Sequence, residues 1–224
     1  MSGGLDPRSA GPLAANPPDG GVVAVLANGE VPRGAALELL RSADALVACD
    51  GALATARALG REPDFVVGDG DSASPEDLVA LGVRFVRDGS ADTNDLDKAF
   101  RFARTRWPRA FSIVILGAGG GREDHLVGNV FRLPAFAAAC PGVAMATNAG
   151  RFDVVDGTRT FACRPGAAVS VFAPEPGTRM ESEGLVWPLK GVDLGPLWSG
   201  TLNRAEGTSF TVRATRPALV YRAW

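Results

Sequence analysis

Histidine, cysteine and lysine are scarce in this chain, and each shortage excludes a class of chemistry. His125 is the single histidine, so a metal site built from several imidazoles is impossible. The cysteines stand far apart without paired spacing, which argues against a disulfide framework and against a zinc site; they are Cys49, Cys140 and Cys163. Isolated thiols are typical of the reducing cytoplasm, where we expect this protein to reside. Lysine occurs only at Lys98 and Lys190, so arginine supplies nearly all of the positive charge.

Several familiar sequence patterns are also missing. There is no Gly-x-x-x-x-Gly-Lys-Ser/Thr loop for nucleotide phosphates and no Gly-x-Ser-x-Gly turn for a serine nucleophile. No run approaches the roughly 18 apolar residues that a membrane span needs, and the N-terminus lacks the pattern of a secretory signal. A formal net charge of -2 gives no electrostatic basis for nucleic-acid binding. We therefore expect a soluble protein that binds neither membranes nor nucleic acids.

The distribution of apolar runs divides the chain into three parts, the first two of which lie before residue 149. Residues 1–20 are rich in Pro, Gly and Ala without periodicity, which predicts a disordered tail. Over residues 21–148, strand-like apolar runs alternate with segments of helical periodicity, which predicts a Rossmann-like α/β domain with a mainly parallel sheet. The predicted strands are 22–26, 45–49, 64–68, 83–86, 111–116 and 143–146, and the predicted helices include 34–42, 52–60 and 123–139.

Residues 149–224 follow a different pattern, with short β-like runs separated by Gly, Pro and charged turns. We expect no further helix here, and strands at 152–155, 168–172, 185–189, 209–212 and 219–221. The pattern predicts a small β-sandwich. The fold class is therefore expected to be α/β followed by all-β.

One stretch, residues 63–72, organises the α/β domain. Its apolar run predicts a buried strand, and Asp69 and Asp71 follow directly after that strand. In extended backbone both carboxylates point the same way, and they repel each other unless a cation such as Mg²⁺ lies between them. Gly70 would then leave room for a phosphate. The alternative is a solvated Asp-Gly turn without a ligand.

Further acidic residues and a glycine run fall at the same edge of the predicted sheet. Asp50 ends the second strand, Asp92 and Asp95 open the helix after the fourth, and residues 117–121 follow the fifth. Backbone N–H groups of such a loop can cradle phosphate oxygens, and Arg122 can bind a phosphate in a forked manner. The pattern predicts a site for a magnesium-bound polyphosphate.

Each of these residues also has a purely structural interpretation. We expect Asp92 or Thr93 to cap its helix, and Asp95 suits a first helical turn because of the helix dipole. Asp124 and His125 can pair as a buried couple, and the glycine run can be only a flexible loop. Their shared position at one edge favours the functional interpretation.

Five motifs, in order along the chain, resemble those of the thiamine pyrophosphokinase family. They are Asn28-Gly29, Asp50-Gly51, Pro63-Asp64-x-x-x-Gly-Asp-x-Asp-Ser, Asp92-Thr93-Asn94-Asp95 and Gly120-Gly121-Arg122-x-Asp124-His125-x-x-x-Asn129. Two later pieces, Gly184-Leu185-x-Trp187-Pro188-Leu189 and Asn203, resemble parts of the family's thiamine-binding domain. The resemblance covers about residues 22–224.

The resemblance implies transfer of the pyrophosphoryl group of ATP to the hydroxyethyl oxygen of thiamine, which gives thiamine diphosphate and AMP. It implies that Asp69, Asp71 and Asp95 hold Mg²⁺, with Asp50 as a further ligand or support, and that Arg122 joins them in catalysis. Asp71 or Asp95 would accept the hydroxyl proton, and the choice stays open. The residues implied to bind ATP are Asn28, Gly117, Gly119, Gly120, Gly121 and Arg122.

The family is a homodimer in which thiamine lies between the α/β edge of one subunit and the β-domain of the other. The resemblance therefore implies a homodimer with the acceptor site at the subunit interface. An aromatic face near that site would suit the thiazolium cation. The residues implied near the acceptor are Asp50, Asn94, Asp124, His125, Trp187, Trp198 and Asn203.

Departures from the family pattern concern the acceptor. Asn94 stands where the family usually has Thr, and Gly200-Thr201-Leu202-Asn203 stands where Ser-x-Ser-Asn is common. The missing hydroxyls leave open a pyrophosphokinase for another hydroxymethyl compound, such as a pterin. An aspartyl phosphatase would need its nucleophile after the first strand, and a metal or nucleotide sensor would show no turnover.

Overall fold

The computed structural model describes residues 20–90, 92–195 and 197–224. These residues form two compact units. Of the described residues, the first unit comprises those up to Val127 together with Ala146–Asn148, and the second comprises Gly128–Met145 together with those from Ala149 to Trp224. The tail predicted for residues 1–20 lies, apart from Gly20, outside the described residues.

Strands and helices alternate from residue 22 to residue 146, as predicted. The elements are β1 (Val22–Leu26), α1 (Gly34–Ser42), β2 (Ala45–Cys49), α2 (Leu53–Ala58), β3 (Phe65–Gly68), α3 (Pro75–Leu81), β4 (Phe85–Arg87), α4 (Asp95–Arg106), β5 (Ser112–Leu116), α5 (Glu123–Ala139) and β6 (Ala144–Ala146). The fourth strand begins two residues later than predicted, because Gly82–Arg84 first forms a 3-10 turn.

Five of these strands form a parallel sheet in the order β5-β1-β2-β3-β4. Four of them, β5, β1, β2 and β3, are almost completely buried, as expected for parallel strands covered by helices. Helix α4 packs against β1, β2 and β3, while α1 contacts β5 and α2 contacts β2. Because all five strands run the same way, the residues that follow them lie along one edge, where ligands bind in sheets of this kind.

Helix α4 begins at Asp95, and the residue that caps it differs from the prediction. The side chain of Asn94 accepts a hydrogen bond from the backbone N–H of Asp97 at 2.9 Å. The expectation that Asp92 or Thr93 caps this helix is therefore wrong. A capping oxygen bonds an N–H two or three residues ahead, and Asp92 and Thr93 both lie further than that from Asp97.

The longest described helix is α5, with 17 residues and Pro134 in its interior. Its first turn carries Glu123 and Asp124, so it begins with charged side chains that suit the helix dipole. Within the described ranges, no helix is long and apolar enough to cross a bilayer.

The second unit is built around a long antiparallel ribbon. Its strands are β7 (Gly150–Ala162), β8 (Ala168–Phe172), β9 (Arg179–Glu183), β10 (Lys190–Asp193), β11 (Asn203–Arg204) and β12 (Ser209–Ala223). β7 pairs with β12 along most of its length, with a register shift between Ala214 and Ala218. On one side of that shift β12 also pairs with β9, and on the other with β8. The ribbon thus belongs to two layers around one apolar core, which is the predicted β-sandwich.

The strand predicted at 185–189 does not form. Leu185 makes only an isolated bridge with Ala205, and the strands of this region are β9 and β10 on either side. Pro188 lacks an N–H for a ladder, and the backbone of Trp187 is bonded to the side chain of Asn203 instead. An apolar run is therefore used here as a turn.

Candidate active site

Polar or small residues follow every strand of the parallel sheet at its carboxyl edge. In spatial order they are the glycine loop (residues 117–121) after β5, Asn28 after β1, Asp50 after β2, Asp69 and Asp71 after β3, and Arg87 at the end of β4. All of them belong to the first unit. The structure thus gathers most of the predicted site residues along a single line.

Asp50 is the buried member of this line, with only 3% of its surface exposed. Its Oδ1 accepts from the backbone N–H of Gly51 at 2.8 Å, and its Oδ2 accepts from that of Gly70 at 3.0 Å. Burial raises the pKa of Asp50 despite these two hydrogen bonds, and the nearby charges of Asp95 and Asp69 add to the effect. Asp50 is therefore a desolvated carboxylate that gains from a nearby cation.

Asp69 and Asp71 lie on an exposed turn directly above β3. The backbone N–H of Asp71 donates to Asp69 Oδ1 at 3.1 Å, and this bond lowers the pKa of Asp69. The hydroxyl of Ser72 donates to Asp71 Oδ1 at 2.9 Å. One carboxylate oxygen from each of Asp50, Asp69 and Asp71 lies within 4.8 Å of the others. Three of the four predicted metal ligands therefore converge.

Two glycines make this convergence sterically possible. A Cβ on Gly68 would lie within 2.8 Å of the carboxylate carbon and both oxygens of Asp50. Gly70 has a φ of +86°, and a Cβ there would lie 3.0 Å from Nη2 of Arg87 and 3.2 Å from the ring of Phe85. Gly70 is thus required by the turn and by its protein neighbours, whereas the sequence suggested that it leaves room for a phosphate.

Asp95, the fourth predicted ligand, is paired with a buried lysine. Its Oδ1 accepts from Lys98 Nζ at 3.0 Å, and the side chain of Lys98 is 5% exposed against 47% for that of Asp95. Burial opposes the charge of Lys98, yet its pKa is raised, because the hydrogen bond and charge of Asp95 and the charges of Asp69 and Asp88 outweigh burial. Lys98 is a positive charge built into the acidic end of the edge.

The glycine loop is fixed tightly against the segment that follows β1. The backbone N–H of Glu30 donates to the carbonyl oxygen of Gly119 at 2.5 Å, and a Cβ on Gly29 would collide with the carbonyl oxygens of Gly117 and Gly119. On its other side this segment places the amide of Asn28 directly against Gly51, where a Cβ would not fit. The loop and the carboxylates are therefore joined through residues 28–30.

Arg122 and Asp124 pair with each other at the start of α5. Nε and Nη2 of Arg122 donate to the two carboxylate oxygens of Asp124 at 3.1 and 2.6 Å, which raises the pKa of Arg122 and lowers that of Asp124. Both side chains are exposed, and so is His125. The suggested buried Asp124–His125 couple is thus not formed, and a phosphate that binds Arg122 must compete with Asp124.

The aromatic residues predicted near the acceptor lie in the second unit. Trp187 and Trp198 are exposed by 58% and 74%. Asn203 is buried, and its amide is occupied: it accepts from the backbone N–H of Trp187 at 3.2 Å and donates to the carbonyl of Trp187 at 2.7 Å. In this structure the side chain of Asn203 therefore holds the backbone of Trp187 in position.

The departures at 200 and 202 have different physical origins. A Cβ on Gly200 would collide with the carbonyl oxygen of Val171, so a serine does not fit there without a backbone shift. Leu202 has a φ of +62°, the one positive φ at a non-glycine residue in the described ranges, and it is 84% exposed. An exposed apolar side chain on strained backbone replaces the family's second hydroxyl.

Two functional candidates were missed by sequence reasoning. Lys98 was given no role in the site, although its spacing of three from Asp95 on a helix predicts that the two meet. Arg87 gave no signal, because its contact with the Asp69 turn depends on the pairing of β3 with β4. The sequence therefore predicted the acidic residues of this edge but not the two cations beside them.

The chemistry of the donor set suits a hard divalent cation. Asp50, Asp69 and Asp71 offer only oxygen atoms, and Mg²⁺ prefers one or two carboxylates together with water and phosphate oxygens. Desolvation of Asp50 makes a cation there more favourable than in water. These residues fit Mg²⁺.

Comparisons with known proteins were made against family models, curated sequences and solved structures. The model of the thiamin pyrophosphokinase catalytic domain matches residues 36–143, and that of the thiamin pyrophosphokinase substrate-binding domain matches residues 150–221. The search of curated protein sequences gave no match.

Solved structures share the fold of most of the chain. A thiamin pyrophosphokinase family protein from Enterococcus faecalis is 19% identical, with a TM-score of 0.76 over 90% of this chain and 98% of its own. Thiamin pyrophosphokinase from Geobacillus thermodenitrificans is 22% identical, with a TM-score of 0.73 over 91% of this chain and 97% of its own. Thiamin pyrophosphokinase from Candida albicans is 18% identical, with a TM-score of 0.72 over 94% of this chain and 95% of its own. With two family models matched in order over most of its length, the chain belongs to the thiamin pyrophosphokinase family.

Proposed function

We propose that this protein is a thiamine pyrophosphokinase, which transfers the pyrophosphoryl group of ATP to the hydroxyethyl oxygen of thiamine. The products are thiamine diphosphate and AMP. The observation that carries the proposal is the convergence of three carboxylates within 4.8 Å at the sheet edge, inside the region that matches the family's catalytic domain.

Asp50, Asp69 and Asp71 are the residues that would hold Mg²⁺, with Asp95 beside them. The bound metal supplies electrophilic stabilisation of the negative charge that develops on the transferring phosphate oxygens. The protein's own contribution is to keep these carboxylates converged, through the bonds from Gly51 and Gly70 to Asp50 and from Asp71 to Asp69. A pre-formed donor set of this kind avoids reorganisation when the nucleotide arrives.

The glycine loop and Arg122 bind the phosphates of ATP in this proposal, and Asn28 lines the nucleotide side. The loop is held from below by the close contact of Gly29 with the carbonyls of Gly117 and Gly119, so its remaining backbone N–H groups are presented in a fixed arrangement. Arg122 leaves Asp124 and turns its two parallel donors to a phosphate. These contacts orient the β-phosphorus for in-line attack.

The hydroxyl of the acceptor gives up its proton at a carboxylate of the edge, either Asp71 or Asp95. Asp95 accepts a hydrogen bond from Lys98, which orients its carboxylate. Attack of the freed oxygen on the β-phosphorus forms the new P–O bond, and the bond to the α-phosphate oxygen breaks, so AMP leaves with the electron pair. Trp187 and Trp198 offer aromatic faces for the thiazolium cation.

The reaction is tested by measuring AMP and thiamine diphosphate after incubation of the purified protein with ATP, Mg²⁺ and thiamine. We expect both products in equal amounts, and only when thiamine is present. The physical reason is that the acceptor hydroxyl is the nucleophile, so without it the phosphates are held but not transferred.

Control reactions separate the alternatives. Hydroxymethylpterin replaces thiamine in one reaction, and thiamine lacking its hydroxyl group in another. AMP formed with the pterin alone would transfer the proposal to a different acceptor, in line with Gly200 and Leu202 at the family's hydroxyl positions. ATP binding without AMP from any acceptor would leave a nucleotide sensor.

We further propose that the protein is a homodimer of the reducing cytoplasm, with each acceptor site completed by the partner subunit. In the second unit, Trp187, Trp198 and Leu202 are large apolar side chains that stay exposed in the single chain, and such groups favour association. The described cysteines are free thiols, which suits a reducing compartment. Light scattering of the purified protein should give twice the chain mass of 23.2 kDa; a monomer would contradict the shared acceptor site.

A further inference from the structure

Arg87 reaches from one strand to the turn that carries two of the candidate metal ligands. It is the last residue of β4, where its backbone pairs with Gly68 at the end of β3. Its Nη1 donates to the carbonyl oxygen of Asp69 at 2.6 Å. A charged donor at this distance forms one of the stronger hydrogen bonds available to a backbone carbonyl.

The position of the Arg87 guanidinium is determined by its surroundings. Its central carbon lies 5.7 Å from the centre of the Phe85 ring, in cation–π range. Its Nη2 occupies the space beside Gly70 that any larger residue would close, 3.0 Å from where a Cβ would stand. Arg87 is exposed to solvent, yet three neighbours determine where its guanidinium lies. They are the Phe85 ring, the space left by Gly70 and the carbonyl oxygen of Asp69.

We infer that Arg87 is a positioning residue for the metal-binding turn, a role that rests on the proposed magnesium site. Asp69 and Asp71 sit on an exposed turn, and their charges push them away from each other and from Asp50. The bonds within the turn link Asp69 to Asp71 but do not tie the turn to the sheet. Arg87 ties it from the β4 side, while the bond from Gly70 to Asp50 ties it from the β2 side.

The hydrogen bond of Arg87 goes to the main chain of the turn and not to its carboxylate oxygens. Nη1 contacts the main-chain carbonyl of Asp69, so the side-chain oxygens of Asp69 and Asp71 stay available. Arg87 therefore shapes the donor set without being a metal ligand itself. Groups that orient metal ligands from outside typically account for about 10–100-fold in metal affinity.

The test is Mn²⁺ binding to the nucleotide-free protein, followed by the loss of the free-ion electron paramagnetic resonance signal. We expect Arg87→Met to weaken Mn²⁺ binding by about tenfold, the lower end of that range. Arg87→Lys keeps one charged donor and should recover part of the affinity. In the AMP assay, Arg87→Met should raise the Mg²⁺ concentration for half-maximal rate by a similar factor, with kcat at saturating Mg²⁺ near that of the wild type.

Arg84→Met is the matched control, because Arg84 flanks the opposite end of β4. Its Nη1 donates to Glu62 at 3.2 Å and to the carbonyl of Pro63 at 3.4 Å, away from the carboxyl edge. This variant should bind Mn²⁺ as the wild type does, and both variants are compared for melting temperature. Equal Mn²⁺ affinity of Arg87→Met and wild type, or equal losses in the two methionine variants, would overturn the inference.

The outcome also separates this inference from the proposed reaction. A wild-type protein that forms AMP but binds no Mn²⁺ without nucleotide would overturn the role of Arg87 at a pre-formed turn and leave the reaction intact. A wild-type protein that binds Mn²⁺ through an Arg87-dependent turn but forms no AMP would keep the inference and overturn the reaction.

Discussion

Replacement of Asp71 by asparagine is expected to lower the rate of thiamine-dependent AMP formation by about 10²–10³-fold. Asp71 is exposed and its carboxylate accepts from the neighbouring Ser72 hydroxyl, so asparagine keeps the shape of the turn while it removes one negative charge from the converged oxygens. Metal-borne charge stabilisation is worth roughly several kcal/mol, and each ~1.36 kcal/mol is tenfold in rate. Initial rates at saturating thiamine over a range of Mg²⁺ concentrations measure the loss.

Glu76→Gln is the control for Asp71→Asn. Glu76 is an exposed carboxylate in the first turn of α3, a few residues further along the chain and outside the converging group. Its removal changes the net charge equally, and we expect less than a twofold change in rate. Melting temperatures of both variants should stay close to the wild-type value, because surface substitutions usually shift stability by about 0.5 kcal/mol or less. An Asp71→Asn protein with wild-type rate would remove Asp71 from the site.

Replacement of Gly68 by alanine is expected to damage stability and activity together. The added methyl group would lie within 2.8 Å of the whole carboxylate of Asp50, which is buried and cannot swing into solvent. Overpacking of a buried site costs about 1–3 kcal/mol, and each backbone hydrogen bond lost from Asp50 adds about 1 kcal/mol. At about 2–4 °C per kcal/mol for a protein of this size, the melting temperature should fall by roughly 5–15 °C.

Gly89→Ala provides the matched comparison for Gly68→Ala. Gly89 follows β4, and a Cβ there would have no atom within 4 Å. We expect this variant to melt within about 2 °C of the wild type, since loss of chain flexibility and the new methyl group nearly balance. Differential scanning calorimetry and the AMP assay on the two variants decide the matter. A stable, active Gly68→Ala protein would show that Asp50 can move without harm.

The sequence predicted those parts of the site that depend on position along one strand. Asp50, Asp69 and Asp71 each follow an apolar run directly, and parallel strands bring such positions to one edge whatever the order of the strands. The α/β alternation was equally legible, because buried parallel strands are apolar throughout and helices carry a different period. The fold class and the acidic end of the site follow from these two patterns alone.

The parts that sequence reasoning missed depend on contacts across the fold or on a choice among equivalent residues. Arg87 reaches Asp69 only because β4 pairs with β3, and no local pattern records that pairing. The cap of α4 was predicted at Asp92 or Thr93, but the helix begins at Asp95 and its cap is Asn94. The apolar run at 185–189 matched a strand in composition, but the backbone N–H and carbonyl of Trp187 are hydrogen-bonded to the buried amide of Asn203.

The ion pair between Lys98 and Asp95 also affects the electrostatic repulsion among the carboxylates of the site. A site lined only by carboxylates would be pushed apart by the repulsion between their negative charges. Here the ammonium group of Lys98 is a permanent counter-ion. It is shielded from water and belongs to α4, the helix that packs against the sheet. The charges gathered at this edge are therefore not all of one sign, and the Lys98 ammonium offsets part of the repulsion among the carboxylates.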